Sequence, residues 1–261
     1  MVSSDISVER EAEGLAVVTL DRPAKRNAIS LSMWQSLKSI FHELGKTDEV
    51  RAVVLTGAGA NFSAGADIGE FAIVRADARS GAIYERAEEE ALLAVLHCNK
   101  PTIAQISGFA VGGACALACA CDFRIADRSA TFFIPAARLG IVYSLLETEL
   151  LLRQVGLANA KHILFSGERI TGDKALRIGL LTELVEAEVE HATRQFASGF
   201  AENAPISLAG NKAILNALAR GEANQRRADL EAWIHRSMES DDYKEGQRAF
   251  REKRPPRFSG R

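Results

Sequence analysis

The chain has 261 residues, of which 47% are hydrophobic and 25% are charged, as expected for a globular protein with a sizeable core. A formal net charge of −2 and an isoelectric point near 6.3 argue against a nucleic-acid partner or an anionic membrane surface. No apolar stretch reaches the roughly 18 residues that span a bilayer, and no secretory leader is visible, so we expect a cytoplasmic protein.

The first third of the chain alternates predicted strands with predicted helices. Apolar and polar residues alternate around Gly14, which predicts two strands joined by a turn and ended by Pro23. Residues 30–46 place apolar side chains on one helical face, and "RAVVLTG" at 51–57 predicts a strand buried on both faces. Residues 82–97 predict another helix.

The same alternation continues to about residue 188, and helices follow. "KPTIAQISG" predicts a buried strand, "GGACALACA" a helix and "CDFRIAD" a further strand. Repeated strand–helix units indicate right-handed crossovers and a mainly parallel sheet. We therefore predict an α/β core at residues 1–195 and a helical region at 196–261, with the boundary between 190 and 205.

Three of the four cysteines fall within seven residues of each other, at Cys115, Cys119 and Cys121, and the fourth is Cys98. Thiolates favour zinc, but this spacing is not of the paired CxxC kind and no histidine is close in sequence. We expect buried structural thiols in a reducing compartment and no metal site.

Two glycine-containing loops, "SAGAD" at 63–67 and "VGGAC" at 111–115, each follow a buried strand and open a helix. Glycine lets the backbone approach a ligand, and the first N–H groups of a helix have no internal partner. Two such donors on one oxygen would form an oxyanion hole for a thioester or ester carbonyl. The alternative is that these glycines only permit tight turns or close packing. Neither the GxGxxG nor the Walker pattern is present.

Six segments resemble, in the same order, those of the crotonase or enoyl-CoA hydratase/isomerase superfamily: "LDRPAKRNAI" (20–29), "LTGAGANFSAGADIGEF" (55–71), "KPTIAQISGFAVGGACALACACDFRIAD" (100–127), "LFSGERITGDKALRIGLLTELV" (164–185), "APISLAGNK" (204–212) and "AFREKRPPRFSGR" (249–261). The resemblance implies an α/β fold: a crotonase-like spiral of ββα units with two roughly perpendicular sheets, followed by a helical C-terminal trimerisation region. It also implies an acyl-CoA substrate, a homotrimer or a dimer of trimers, and no cofactor beyond the coenzyme A moiety.

The resemblance also implies site residues. Matching the motifs assigns the two oxyanion N–H donors to Ala66 and Gly113. Positions that resemble the family's coenzyme A contacts are Lys25, Asn27, Ala64, Ala66, Asp67, Ile68, Phe250 and Lys253. The last two are expected to reach coenzyme A from a neighbouring subunit. Asp67 could instead cap its helix, and Lys253 could be a solvated charge in a basic tail.

Both glutamates that activate water in hydratases of this superfamily are replaced in this chain. By the same match, their positions hold Ala116 and Ala136. Alanine has no proton to give or to take, so a paired-glutamate hydration cannot run at these two positions.

Residues 143–149 offer replacements. Tyr143 matches a tyrosine of the methylmalonyl-CoA decarboxylase branch and could supply a hydrogen bond or a proton, or only line a pocket. Glu147 would fall in the first turn of a helix starting near Leu145, as a catalytic carboxylate or as a charge favoured by the helix dipole. Glu149 should point elsewhere on that helix.

We expect an enzyme that stabilises the enolate of an acyl-CoA thioester between Ala66 and Gly113. Hydration, isomerisation, decarboxylation and hydrolysis stay open, including a methylmalonyl-CoA-decarboxylase-like reaction that uses Tyr143. A non-catalytic acyl-CoA binding protein is the other hypothesis. Carboxylate or hydroxyl groups beside the two N–H donors would favour the enzyme, and a wholly apolar surround would favour the binder.

Overall fold

The structure, a computed structural model, describes residues 3–261; residues 1 and 2, where the predicted core domain begins, lie outside the described residues. The described strands are β1 Ile6–Arg10, β2 Leu15–Leu20, β3 Ala52–Gly57, β4 Thr102–Ile106, β5 Phe109–Val111, β6 Phe123–Asp127, β7 Thr131–Phe133, β8 Ile170–Thr171 and β9 Glu183–Val185. The described α-helices are α1 Leu31–Lys46, α2 Phe71–Val74, α3 Ala78–Leu96, α4 Gly113–Ala120, α5 Leu145–Ser166, α6 Gly172–Arg177, α7 Val189–Ala201, α8 Pro205–Ala219, α9 Arg227–Glu239 and α10 Asp241–Glu252.

Two sheets form the α/β core. The larger has the order β1-β2-β3-β4-β6-β9, in which only the β1–β2 pair is antiparallel, and the smaller has the order β5-β7-β8. The mainly parallel sheet is therefore confirmed. It arises because each buried strand from β2 to β4 is followed by at least one helix that returns the chain to the same sheet edge.

Local capping sets where α3 begins. The helix starts at Ala78, four residues before the predicted start, because Asp77 and Ser80 form a reciprocal capping box. The carboxylate of Asp77 accepts from the Ser80 N–H at 2.7 Å, and the Ser80 hydroxyl accepts from the Asp77 N–H at 3.1 Å. The added turn brings residues 78–81 into the helix.

The main hydrophobic core lies between the larger sheet and the helices α1, α3, α4 and α5. The opposite face of the sheet is covered by α7, where Phe196 and Phe200 pack with Phe123 of β6 at centroid distances of 5.0 and 5.1 Å. Residue 195 falls inside α7, whose apolar face packs on the sheet, and the predicted boundary range of 190–205 ends where α8 begins. The separate helical region begins at Pro205, and α8, α9 and α10 follow one another there.

All four cysteines are free and buried, with three of them on or just after α4. Burial raises the pKa of the Cys115, Cys119 and Cys121 thiols, so they stay protonated and behave as small apolar side chains. Within residues 3–261 no cluster of side chains has the makeup of a metal site. In that same range no helix is long and apolar enough to cross a bilayer.

Candidate active site

A cavity of about 290 Å³ opens between the two glycine-containing loops, α3 and the start of α5. This volume is at the lower end of the range for small-molecule sites. Both loops contribute backbone to its wall. Its charged lining comprises Arg75, Glu85, Glu88, Glu89 and Glu147, and its apolar lining includes Ala66, Phe71, Val111, Ile134, Ala136, Ile141 and Leu146.

The two loops pack backbone against backbone. The Ser63 N–H donates to the Phe109 carbonyl at 2.8 Å, and the Val111 N–H donates back to the Ser63 carbonyl at 3.1 Å. Gly65 has a φ of +83°, and a Cβ there would collide with the Val111 carbonyl oxygen and lie 3.7 Å from the Gly113 nitrogen. Only glycine fits, and its absent side chain is what allows Ala66 and Gly113 to share one cavity wall.

Both expected N–H donors lie in that wall. The Ile29 N–H donates to the Gly65 carbonyl, and the Asp67 N–H donates to the Ile29 carbonyl, so the alternation of an extended strand turns the Ala66 N–H away from this pairing. Gly113 is the first residue of α4, where an N–H has no partner inside the helix. In the described part of the chain neither amide donates to another protein group.

A carboxyl group from α3, which the motifs did not point to, lies beside Gly113. Glu88 is 8% exposed, and its Oε1 would be 2.5 Å from a Cβ built on Gly113. The lack of a side chain at Gly113 thus makes room for this carboxyl. Its helical neighbours Tyr84, Ala91 and Leu92 form the buried stripe of α3. A glutamate inside an apolar stripe was the sequence signal that could have revealed it.

Glu147 meets Glu88 from the opposite side. The helix α5 starts at Leu145, as expected, and Glu147 lies in its first turn. Its Oε2 accepts from the Ser144 N–H at 2.9 Å, and the Ser144 hydroxyl accepts from the Glu147 N–H at 3.3 Å. Glu147 therefore caps the helix, but it is also 7% exposed and lines the same cavity as Glu88, whose pKa its charge raises.

The two carboxyl groups cannot both be ionised at low cost. Burial and the neighbouring Glu147 carboxylate raise the pKa of Glu88. Burial also raises the pKa of Glu147, against the hydrogen bonds from Ser144 that lower it. Two neighbouring carboxyl groups in a poorly solvated site favour the state with one proton and one negative charge, which provides one acid and one base.

Arg75 is a positive charge that acts on both Glu88 and Glu147. Its guanidinium lies over the rings of Phe71 and Tyr84, 4.7 and 4.9 Å from their centroids. From there it lowers the pKa of both Glu88 and Glu147. It makes one negative charge on the pair tolerable without forming an ion pair with either carboxylate.

Tyr143 also lies in the cavity wall, and its hydroxyl faces the second loop. It donates to the carbonyl oxygen of Gly112 at 2.9 Å. Burial and the Glu147 charge raise the pKa of Tyr143 well above its ordinary value, so the phenol keeps its proton. Glu149, in contrast, lies outside the cavity, 3.6 Å from both Arg153 and Arg220.

Residues 10–261 match the sequence profile of the enoyl-CoA hydratase/isomerase family. The chain belongs to this family. It is 38% identical over 96% of its length to a protein named "Probable enoyl-CoA hydratase" from Rhodobacter capsulatus, covering 96% of that protein. It is 33% identical to the short-chain-enoyl-CoA hydratase of Clostridium acetobutylicum, with 97% of each chain covered.

Solved structures of the family confirm the crotonase fold. A crystal structure of an enoyl-CoA hydratase from Bacillus anthracis superposes with a TM-score of 0.90 at 30% identity, covering 99% of this chain and 100% of that one. The two sheets and the helices described above therefore form the crotonase arrangement.

Ala116 and Ala136 are the positions that the resemblance aligns with the two hydratase glutamates, and this alignment stays a prediction. Ala116 is buried inside the core, whereas Ala136 lines the cavity. The acidic groups of this cavity come instead from α3 and α5. Glu88 is a carboxyl group of this cavity that the family motifs do not cover.

The residues expected to hold coenzyme A fall into two sets, of which the first surrounds Asp67. Its Oδ1 accepts from the Gly69 N–H at 3.1 Å, which is a helix cap, and its Oδ2 lies 3.0 Å from both Lys25 and Arg22. Although burial opposes ionisation, these two cations lower the pKa of Asp67. Ala64 and Ile68 lie beside it in the cavity wall, and Ile68 is 64% exposed.

The side chain of Asn27 does not line the cavity, and its expected contact with coenzyme A stays a prediction. It is fully buried with a φ of +56°, and its amide donates to the carbonyls of Ala58 and Asn61 at 2.9 and 2.7 Å. Its Oδ1 accepts from the Arg22 N–H at 3.0 Å. Every polar group of the side chain is thus used to tie neighbouring loops together beneath the cavity.

The second set, Phe250 and Lys253, lies at the end of α10. Phe250 is 86% exposed and Lys253 ends the helix with a φ of +53°. Neither lines the cavity of its own chain. Their expected contact with coenzyme A bound to a neighbouring subunit stays a prediction.

Proposed function

We propose that this acyl-CoA enzyme is an isomerase that moves a carbon–carbon double bond of an enoyl-CoA thioester by proton transfer. The observation that carries the proposal is the pair of buried carboxyl groups, Glu88 and Glu147, which line the same cavity as the free amides of Ala66 and Gly113. Isomerisation requires one base, one acid and a stabilised oxyanion, and it needs neither water nor a cofactor beyond coenzyme A.

The proposed reaction begins with the thioester carbonyl oxygen between the Ala66 and Gly113 N–H groups. The ionised carboxylate of the pair removes a proton from the acyl chain, and the electrons of that C–H bond form a dienolate whose negative charge lies on the carbonyl oxygen. The protonated carboxyl then delivers its proton to the carbon at the other end of the dienolate. One proton is taken up and one returned, so the pair is regenerated after each turnover.

Hydration is the second candidate, because the curated relatives cited above carry hydratase names. The same pair could deprotonate a water that attacks carbon 3 while the acid protonates carbon 2. Hydration requires a water held beside both carboxyl groups in addition to the acyl chain, whereas isomerisation needs only the two carboxyl groups and the two amides.

Two other hypotheses receive less support. A decarboxylase that uses Tyr143 as its acid would need a proton that the phenol already donates to the Gly112 carbonyl. A non-catalytic binder would be expected to have an apolar surround beside the two amides, whereas Glu88 and Glu147 lie there.

The proposed assembly is a cytoplasmic homotrimer or dimer of trimers. It is supported by exposed apolar side chains on the C-terminal helices, among them Ile234, Met238 and Phe250. In such an assembly Phe250 and Lys253 would reach the coenzyme A of a neighbouring subunit. Analytical ultracentrifugation tests the assembly, and a monomer at micromolar concentration would contradict it.

The function is tested by incubating the protein separately with a 3-enoyl-CoA, crotonyl-CoA and methylmalonyl-CoA. We expect the 3-enoyl-CoA to give the 2-enoyl isomer, with unchanged mass and a shifted double bond by NMR. A gain of one water from crotonyl-CoA, without isomerisation, would establish hydration instead. Loss of carbon dioxide from methylmalonyl-CoA would support the decarboxylase, and no reaction with any substrate would support the binder.

A further inference from the structure

The hydroxyl of Tyr143 contacts the peptide group that carries the second oxyanion donor. The carbonyl of Gly112 and the N–H of Gly113 belong to one rigid, planar peptide unit. Tyr143 donates to its oxygen at 2.9 Å, and the N–H groups of Cys115 and Ala116 donate to the same oxygen at 2.8 and 3.3 Å. The N–H of this same peptide belongs to Gly113, which lies in the cavity wall.

We propose that Tyr143 is a positioning residue, which orients and polarises the Gly112–Gly113 peptide so that the Gly113 N–H binds the thioester oxygen. This inference rests on the proposed use of Gly113 as an oxyanion donor. Tyr143 acts through the backbone and does not exchange a proton with the substrate. It thereby takes a different role from the proton donor that the sequence suggested.

Tyr143 adds a third hydrogen bond to a peptide that the first turn of α4 also holds. Gly112 has a φ of +52°, and its carbonyl accepts from the Cys115 and Ala116 N–H groups as well as from Tyr143. Rotation of the peptide would turn the Gly112 carbonyl toward the cavity and present a partial negative charge to the developing oxyanion. The Gly112 N–H is fixed by the Phe133 carbonyl at 3.0 Å, and Tyr143 fixes the following peptide.

Polarisation adds to orientation. A carbonyl that accepts a hydrogen bond shifts electron density toward its oxygen, which strengthens its own amide as a donor. The Gly112 carbonyl accepts from three donors, and only the phenol of Tyr143 comes from outside the loop and its helix. Because the raised pKa keeps the phenol protonated, this contribution persists at alkaline pH.

Tyr143 also links the donor to the acid–base pair. It directly precedes Ser144 and the capping box that holds Glu147, and its own carbonyl accepts from the Thr148 hydroxyl at 3.3 Å. One short segment therefore sets both the Glu147 carboxyl and the Gly113 amide. Residues 143–148 therefore set the position of the Glu147 carboxyl relative to the Gly113 amide.

The test uses Tyr143→Phe, which removes the hydroxyl and keeps the ring. Isotope-edited infrared spectroscopy of bound butyryl-CoA labelled at its carbonyl carbon reports polarisation directly. We expect a shift to lower frequency in the unmodified protein and a clearly smaller shift in the variant. With the isomerase substrate, kcat should fall about tenfold with little change in KM, less than the roughly 100- to 1,000-fold loss of a direct oxyanion donor.

Tyr84→Phe is the matched control. It removes another buried phenol hydroxyl, which accepts from the Trp34 indole N–H at 3.0 Å and has no bond to the loop. That variant should lose stability and keep the carbonyl shift. Should Tyr143→Phe fail to fold, 3-fluorotyrosine at the same position retains the shape and donates more strongly, so the shift should increase. An unchanged shift in both Tyr143 substitutions would overturn the inference.

Butyryl-CoA carries no double bond, so the infrared result is independent of the proposed isomerisation. A Tyr143-dependent shift without isomerase activity would refute the function and retain the positioning role. Isomerase activity together with a carbonyl shift that does not depend on Tyr143 would support the function and refute the positioning role. No shift in the unmodified protein would refute the oxyanion site itself and this inference with it.

Discussion

Replacement of Glu88 by glutamine separates its chemical role from its effect on stability. Glutamine has nearly the same shape, so the cavity beside Gly113 should keep its form. It can neither donate the shared proton nor become a carboxylate base. Positioned acid–base groups contribute about 100- to 10,000-fold to rate, so kcat for the enoyl-CoA substrate should fall by that factor, which is about 3–5 kcal/mol in the barrier.

Although Glu88→Gln should lower kcat, it should raise the free energy of unfolding at alkaline pH. Because burial and Glu147 raise the pKa of Glu88 above its ordinary value of 4.5, the folded protein keeps this proton at pH values where the unfolded chain has released it. The stability contributed by the folded site is therefore complete below pH 4.5 and is lost as the pH rises toward the folded pKa. Glutamine does not titrate, so the variant should be more stable than the unmodified protein at pH 9, by about 1–3 kcal/mol.

The assay combines turnover of the 3-enoyl-CoA with thermal unfolding at pH 5 and pH 9. A gain of that size should raise Tm by about 2–4 °C per kcal/mol for a chain of this length. Glu90→Gln is the matched control, since it lies on the same helix and pairs with Lys38 at 3.0 Å outside the cavity. Unchanged kcat in Glu88→Gln, or a lower Tm at both pH values, would refute the buried acid–base pair.

Three further changes test other parts of the site. Glu147→Gln should keep the helix cap, because the amide oxygen can still accept from the Ser144 N–H, but kcat should fall about 100-fold or more. Its control, Glu149→Gln, changes a residue outside the cavity and should retain activity in the same turnover assay. Gly65→Ala should lower the free energy of unfolding by at least about 1–3 kcal/mol in urea titration and abolish turnover, because it strains a positive φ and separates the loops. The four buried thiols should be inert to a thiol reagent in the native protein and all react once it is unfolded; rapid labelling of the folded chain would contradict their burial.

Much of the fold was predictable because its signals are local. The alternation around Gly14 and the buried runs before each loop depend only on neighbouring residues, and β1 to β4 lie where those patterns placed them. Residue 195 falls inside α7 because the sequence of an amphipathic helix does not show whether it packs on a sheet or on other helices. Only the three-dimensional contact of Phe196 with Phe123 assigns it to the sheet.

The part of the site that could be predicted from the sequence is the backbone of the two glycine-containing loops. The glycines of "SAGAD" and "VGGAC" indicated two loops that approach a ligand, and the family resemblance assigned the donors to Ala66 and Gly113, both of which lie in one cavity wall. Glu88 escaped notice because its partner surface comes from a loop 25 residues later in the sequence, and no local pattern states which loop a helix face will meet. The same applies to the Tyr143 hydroxyl, whose acceptor is a backbone carbonyl 31 residues away.

Exchange of the carbon 2 protons of butyryl-CoA in heavy water tests the central claim most directly, since it needs only a thioester, the two amides and the carboxyl pair. The account predicts deuterium at carbon 2, detected by mass and NMR, at a rate that falls about 100-fold or more in Glu88→Gln and in Glu147→Gln and is unchanged in Glu90→Gln. A protein that binds butyryl-CoA but incorporates no deuterium, or incorporates it equally in all three variants, would contradict it.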